Sequence, residues 1–233
     1  KYYLTWNQVC HSDDLNFYNI DDGDLITLAK ACAKGALGAQ CQSLHLNAAN
    51  CIIGNAGISA LASACARGAL PQLQRLFLST NQMGDAGIII LASACASGTL
   101  KQLTHLDLDQ NNIGDAGTIA LANACANGTL AQLEKLYLGN NKIGDAGLSA
   151  FASACAGGAL AQLKELSLAV NIIGDAGVTA LAEACATGAL AQLTVCSLST
   201  ALPSDSETWH VHSPDPDVLF RVPGALPRPQ SDW

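Results

Sequence analysis

The sequence is poor in positive charge, in aromatic rings and, over most of its length, in proline. Eleven Lys and Arg stand against nineteen Asp and Glu in 233 residues, a formal net charge of −8. Contact with nucleic acid through phosphates needs a basic footprint, so that class of partner is set aside. Aromatic residues make up 5% of a chain that is 50% hydrophobic, so the core has to be built from Leu, Ile, Ala and Cys. No apolar run approaches the roughly 20 residues that a membrane-spanning helix requires, so no membrane association is expected. The first residues show neither the positive start nor the apolar stretch of a secretory signal. Of the seven prolines, six lie between Pro203 and Pro229.

What the chain has in abundance is repetition, and a fixed period is the first thing that decides a fold. LPQLQRLFLSTNQMGDAGIIILASACASGT (70–99) aligns without gaps with LKQLTHLDLDQNNIGDAGTIALANACANGT (100–129) and with the two stretches that follow, 130–159 and 160–189. A further unit, Leu37 to Ala69, carries three extra residues around Asn50, and LAKACAKGA (28–36) marks a degenerate one before it. A half-unit, LAQLTVCSLST, begins at Leu190, after which the pattern stops. Alternation at Leu76 and Leu78 predicts a short strand, and Ile88, Leu91, Ala92 and Cys95 fall on one helical face. A strand, a helix and a return to a parallel strand form a βα unit with a right-handed crossover. The expected organisation is an N-terminal segment with a degenerate first repeat (1–36), a repeat region (37–200) and a Pro-rich irregular tail (201–233).

Each unit reads Leu-x-x-Leu-x-Leu-x-x-Asn-x-Ile-Gly-Asp-x-Gly ahead of an alanine-rich stretch. In this the chain resembles the leucine-rich repeat family, in its ribonuclease-inhibitor-like class, over roughly residues 15 to 200. The resemblance implies an α/β fold, a right-handed solenoid bent into an arc with parallel strands concave and helices convex. Bending has a physical cause: strands are locked about 4.8 Å apart while packed helices need about 8 to 10 Å. The repeated alanines at Ala92, Ala94 and Ala96 let helices approach closely, which makes the expected arc shallow.

Several residue columns invite a chemical reading. Cys32, Cys65, Cys95, Cys125, Cys155 and Cys185 recur once per helix. Helices 8 to 10 Å apart hold equivalent Cα atoms beyond the roughly 7 Å limit of a disulfide, and a straight column cannot converge on a tetrahedral metal. They read as small core residues, as do Cys41 and Cys196 in the strand segment. Cys10 and Cys51, with His11 and His45, fit no standard zinc spacing. Asp85, Asp115, Asp145 and Asp175, with Asn55 in the same column, read as N-caps of the helices that follow them, and a calcium ladder lacks a second acidic column. Asn81, Asn111, Asn141 and Asn171 read as an inward ladder bonding the backbone of adjacent turns. Gly87, Gly117, Gly147 and Gly177 mark a close approach at the helix entrance. Neither a metal nor a cofactor is expected.

Function is then sought where the units differ. The residues flanking the strand leucines form three columns: Ser43, Arg75, His105, Lys135, Glu165, Val195; then His45, Phe77, Asp107, Tyr137, Ser167, Ser197; then Asn47, Ser79, Asp109, Gly139, Ala169, Ser199. Six strands would span roughly 24 Å, a modest protein interface. Arginine and aromatic residues most often anchor interfaces. Arg75, Phe77, His105, Asp107, Lys135 and Tyr137 are therefore the expected partner-binding residues. His105, Asp107 and Ser79 resemble a hydrolase triad on paper, but the sequence has no nucleophile turn or oxyanion site to accompany them. The expectation is a non-catalytic scaffold that binds another protein on its concave face, in the cytoplasm with reduced thiols. The family resemblance implies two alternatives: a regulator of a small GTPase, like the leucine-rich-repeat GTPase-activating proteins, or the repeat fragment of a larger NOD-like sensor.

Overall fold

The computed structural model describes residues 13–35, 40–47, 51–198 and 209–210. Strands and helices alternate up to β7: β1 Asp14–Asn16, α1 Asp22–Ala33, β2 Ser43–His45, α2 Asn55–Ala66, β3 Arg75–Phe77, α3 Asp85–Ala96, β4 His105–Asp107, α4 Asp115–Ala126, β5 Lys135–Tyr137, α5 Asp145–Ala156, β6 Glu165–Ser167, α6 Asp175–Ala186 and β7 Val195–Leu198, with a further strand, β8 Trp209–His210, after it. Strands β1 to β7 lie in chain order in one parallel sheet, in register, so that Leu44, Leu76, Leu106, Leu136 and Leu166 form one row. Where six strands were expected, seven parallel strands are present, because the degenerate first unit contributes β1. Six gaps of about 4.8 Å give a face roughly 29 Å long.

The period of two along each strand sends the central residue into the core and its two neighbours to the opposite face. Leu76, Leu106 and Leu136 are accordingly buried while the residues on either side are not. One hydrophobic cluster runs from Leu15 to Cys196 under all seven strands. In the interior helices the inner face is set by such residues as Ile88, Leu91, Ala92, Ala94 and Cys95. Each helix stops at a glycine in the left-handed region, such as Gly98 with φ 79°, whose amide returns to the Cys95 carbonyl. Glycine reaches that conformation without the steric cost other residues meet.

Of the ten cysteines, the nine described are unpaired, and all but Cys185 are buried. Burial pushes the thiols up, Cys32 to about 11 and Cys95 to about 12, which removes thiolate character. Cys51 donates to the Phe17 carbonyl at 3.5 Å, and no group of three or more metal-ligating side chains occurs among the described residues. Cys10 and His11 lie outside them.

The asparagine column behaves as expected. Asn81 donates to the carbonyls of Leu46, one unit back, and Leu78, and accepts from the Ile53 amide; Asn111, Asn141 and Asn171 repeat this in turn. These are among the few buried polar side chains, and no buried side-chain N or O among the described residues lacks a partner.

The aspartate column requires a correction. Asp85 is not the N-cap of its own helix: Gly84 holds that position and makes no side-chain cap bond. Instead Asp85 Oδ1 accepts from the amides of Gly114 at 2.7 Å and Gly117 at 3.0 Å, the start of the next helix along the stack. Asp115 and Asp145 serve α5 and α6 in the same way, while Asp22 serves α2 and Asn55 uses its amide oxygen for α3. A residue one step inside its own helix points sideways along the stack, where the neighbouring helix start offers free N–H groups. Helix α1 differs, with a capping box formed by Asp21 and Asp24 on its own first turn.

Strand β8 pairs antiparallel with β7, Leu198 opposite Trp209 and Ser197 opposite His210. Part of the segment after residue 200 thus covers the last sheet edge. An edge strand carries a row of unpaired backbone groups, which gives this pairing its driving force. The remainder of that segment, with Leu219 and Phe220, lies outside the described residues.

Candidate partner-binding face

The face of the sheet opposite the core carries the three variable columns, and the strand register aligns them. Arg75 sits beside His105, His105 beside Lys135 and Lys135 beside Glu165; Phe77 sits beside Asp107 and Asp107 beside Tyr137. All six expected binding residues therefore share one face of three consecutive strands. Arg75 is exposed and the other five are half-buried.

What the columns do not reveal is how these side chains bond to each other. Lys135 Nζ meets Glu165 Oε1 at 2.6 Å, and Glu165 Oε2 accepts from the Tyr137 hydroxyl at 2.5 Å. Burial pushes Glu165 up, but the bonds from Lys135 and Tyr137 outweigh it and hold the carboxyl below its usual range. Burial, then the Glu165 carboxylate, raises the Tyr137 phenol. Arg75 turns the other way, its Nε donating to Ser43 Oγ. Phe77 stacks on His45, with ring centroids 4.2 Å apart and planes 15° from parallel, and His45 Nε2 lies 3.1 Å from Asp14 Oδ1. His105 Nδ1 is 2.9 Å from Thr104 Oγ1. Burial and the nearby Lys135 charge lower its pKa, which favours the neutral ring.

Between the two aromatics stands a pair of carboxylates. Asp107 accepts from Ser79 Oγ at 2.8 Å and from the Asp109 amide at 3.1 Å; Asp109 accepts from the Gly139 amide at 2.5 Å. Burial raises both, against the pull of these donors, and the charge of Asp107 raises Asp109 further. Ser79 accepts in turn from Asn47 Nδ2 at 3.1 Å. The Ser79 hydroxyl thus bonds directly to the carboxylate while His105 turns to Thr104. A nucleophile, base and acid relay needs the histidine between the other two, and this arrangement is the wrong one.

Sequence columns included Asp109, Glu165 and His45 but gave no reason to select them. Their importance comes from contacts across strands, and the available signal was that His45 and Glu165 each lie one strand from a selected residue of complementary chemistry.

The comparisons with known proteins bear on this repeat architecture. The leucine-rich-repeat family model matches residues 100–122, 131–152 and 161–182. These stretches are leucine-rich repeats, set in a structure with a parallel sheet on one side and helices on the other. Among solved structures it is similar to an internalin from Listeria monocytogenes str. 4b F2365, with 20% identity, a TM-score of 0.36, and coverage of 72% of this chain and 51% of that one. It is also similar to a plant ice-binding protein, with 19% identity, a TM-score of 0.32, and coverage of 60% and 52%. The matches span about half the length of each of these solved chains. No curated protein matches the sequence.

Proposed function

We propose that the chain is a non-catalytic scaffold of the ribonuclease-inhibitor-like class that binds a partner protein on its strand face. One observation carries this reading. Within each unit the Leu, Ile, Asn, Asp, Gly and Cys columns are absorbed by the core and by inter-repeat bonds, and the chemically varied side chains stand together on one open sheet face. A 12-residue helix in every unit supports the class. A net charge of −8 supports a protein rather than a nucleic acid as partner, and the nine unpaired thiols support an intracellular setting. Among the described residues no helix is long and apolar enough to cross a membrane.

A photo-crosslinking residue placed at Ser167 is expected to capture the partner, while one at Ile119 on the helical side is not. With the captured protein in hand, replacing Phe77 and Tyr137 together by Ala should cost about 2 kcal/mol or more of binding. Undiminished binding by that double variant, combined with loss on substitution of Ile89 and Ile119, would transfer the site to the convex side.

A further inference from the structure

The strand face contains a notch whose walls and floor have complementary chemistry. In the column His45, Phe77, Asp107, Tyr137, the short Asp107 stands between two aromatic side chains. His45 and Phe77 belong to neighbouring strands and stack face to face, 4.2 Å between centroids and 15° between planes, so the stacking axis runs from strand to strand. The free face of Phe77 is therefore turned toward β4, over Asp107. On the far side the Tyr137 hydroxyl bonds to Glu165 on β6, which turns the polar end of that ring away from β4. Asp109, two residues beyond Asp107 and past the end of β4, donates its amide to Asp107 and takes the Gly139 amide on its own carboxylate, which extends the floor.

No positive group of the described chain fills this notch. Lys135 is held by Glu165 on one side and Arg75 by Ser43 on the other. Among the described residues the donors to the two carboxylates are neutral, the Ser79 hydroxyl and the amides of Asp109 and Gly139. A cation seated there would gain an aromatic face on one flank and two carboxylates below it, and both attractions strengthen when water is displaced.

We propose that the notch formed by Phe77, Asp107, Asp109 and Tyr137 receives a lysine or arginine side chain from an extended segment of the partner. The proposal rests on the strand-face reading and makes it specific. It sets the partner's central contact as positive, in a face where Glu165 already neutralises Lys135. The raised carboxyls of Asp107 and Asp109 agree with it, since a bound cation supplies the charge that their surroundings lack.

The test selects random linear peptides displayed on phage against the full chain and measures synthetic versions of the winners on the parent and on folded variants. Selected peptides are expected to contain Lys or Arg, and replacing that residue by citrulline or norleucine should weaken binding to the parent by at least about tenfold. The same replacement should make little difference on Asp107→Asn, which keeps an acceptor for the Asp109 amide. If Asp107→Asn fails to fold, the replacement series on the parent alone decides. Peptides that are blocked by Ser167→Arg yet tolerate the neutral residue overturn the notch and leave the strand-face reading standing. Peptides indifferent to Ser167→Arg but lost on Ile119→Asp overturn both. A selection that yields no binder dependent on a Lys or Arg also overturns the notch.

Discussion

At the scale of single residues, the aspartates that begin α1, α3, α4 and α5 act on the helix after them. Asp115 Oδ1 accepts from Gly144 and Gly147, so the Asp115→Ala variant should lose about 0.5 to 2 kcal/mol of stability. Its amide exchange should rise at the start of α5, while the start of α4 stays protected. Asp115→Asn should recover most of the loss, since Asn55 makes the same two bonds through an amide oxygen. Hydrogen exchange read helix by helix separates this from an ordinary cap, which would loosen α4. Gly117 is the receiving side of the same contact. A Cβ there would lie 2.8 Å from Asp85 Oδ1, 3.1 Å from Ile113 Cγ2 and 3.2 Å from Asp85 Cα. Gly→Ala inside a helix ordinarily gains up to about 1 kcal/mol from propensity. Here the clash reverses the sign, and urea denaturation of Gly117→Ala should show a loss of about 1 to 3 kcal/mol.

At the scale of elements, three-residue strands leave room for only two outward side chains each, so neighbouring strands must complete any site. That is why Asp107 on β4 is flanked by Phe77 from β3 and Tyr137 from β5. The carboxyls of Asp107 and Asp109 are raised above 3.8 by burial. The folded chain therefore holds these protons more tightly than the unfolded chain. The resulting stability is fully present below the unfolded pKa and is lost as pH rises through the folded values. Ionised at neutral pH, the pair is a net liability to folding. The double variant Asp107→Asn, Asp109→Asn should be at least as stable as the parent at neutral pH, and any advantage should shrink as pH falls toward about 4. Urea midpoints across that range measure it. A parent markedly more stable than the variant at neutral pH would show that the hydrogen bonds of the pair outweigh its burial.

At the scale of the whole molecule, each unit is held by its two neighbours, so the ends are held least. Interior helices α3, α4 and α5 each bury six residues on their inner sides, whereas α1 and α6 bury three. Val178 and Cys185 of α6 are half-buried, while the corresponding Ile88 and Cys95 of α3 are fully covered. Native-state hydrogen exchange should find the deepest protection in α4 and its neighbours and the earliest opening in α6. Equal protection along all six helices would mean that the chain unfolds as one cooperative block. The strand face between β3 and β5 is then expected in the most protected part, which suits a site that depends on cross-strand registration.

The thirty-residue period, the βα alternation, the core rows and the asparagine ladder are properties of the repeat itself, and so they were legible in the sequence. Each depends on hydrophobic periodicity and on a polar side chain placed at a fixed step, both local to a unit. The first strand was missed because its unit is degenerate, with Asp14, Leu15 and Asn16 the part that pairs. The direction of the aspartate caps was not legible either. Asp85 precedes most of its own helix in sequence, and only the stacking of units shows that its oxygen lies closer to the free amides of the next helix. The six face residues were legible as a set because register follows from an unbroken period. Tertiary structure alone decided which of them are engaged: Glu165 takes Lys135 and Tyr137, Ser43 takes Arg75, and His45 takes one face of Phe77. Those choices rest on side-chain rotamers reaching across a gap of about 4.8 Å between strands, and a one-dimensional pattern that fixes which residues are neighbours does not fix which way each one turns.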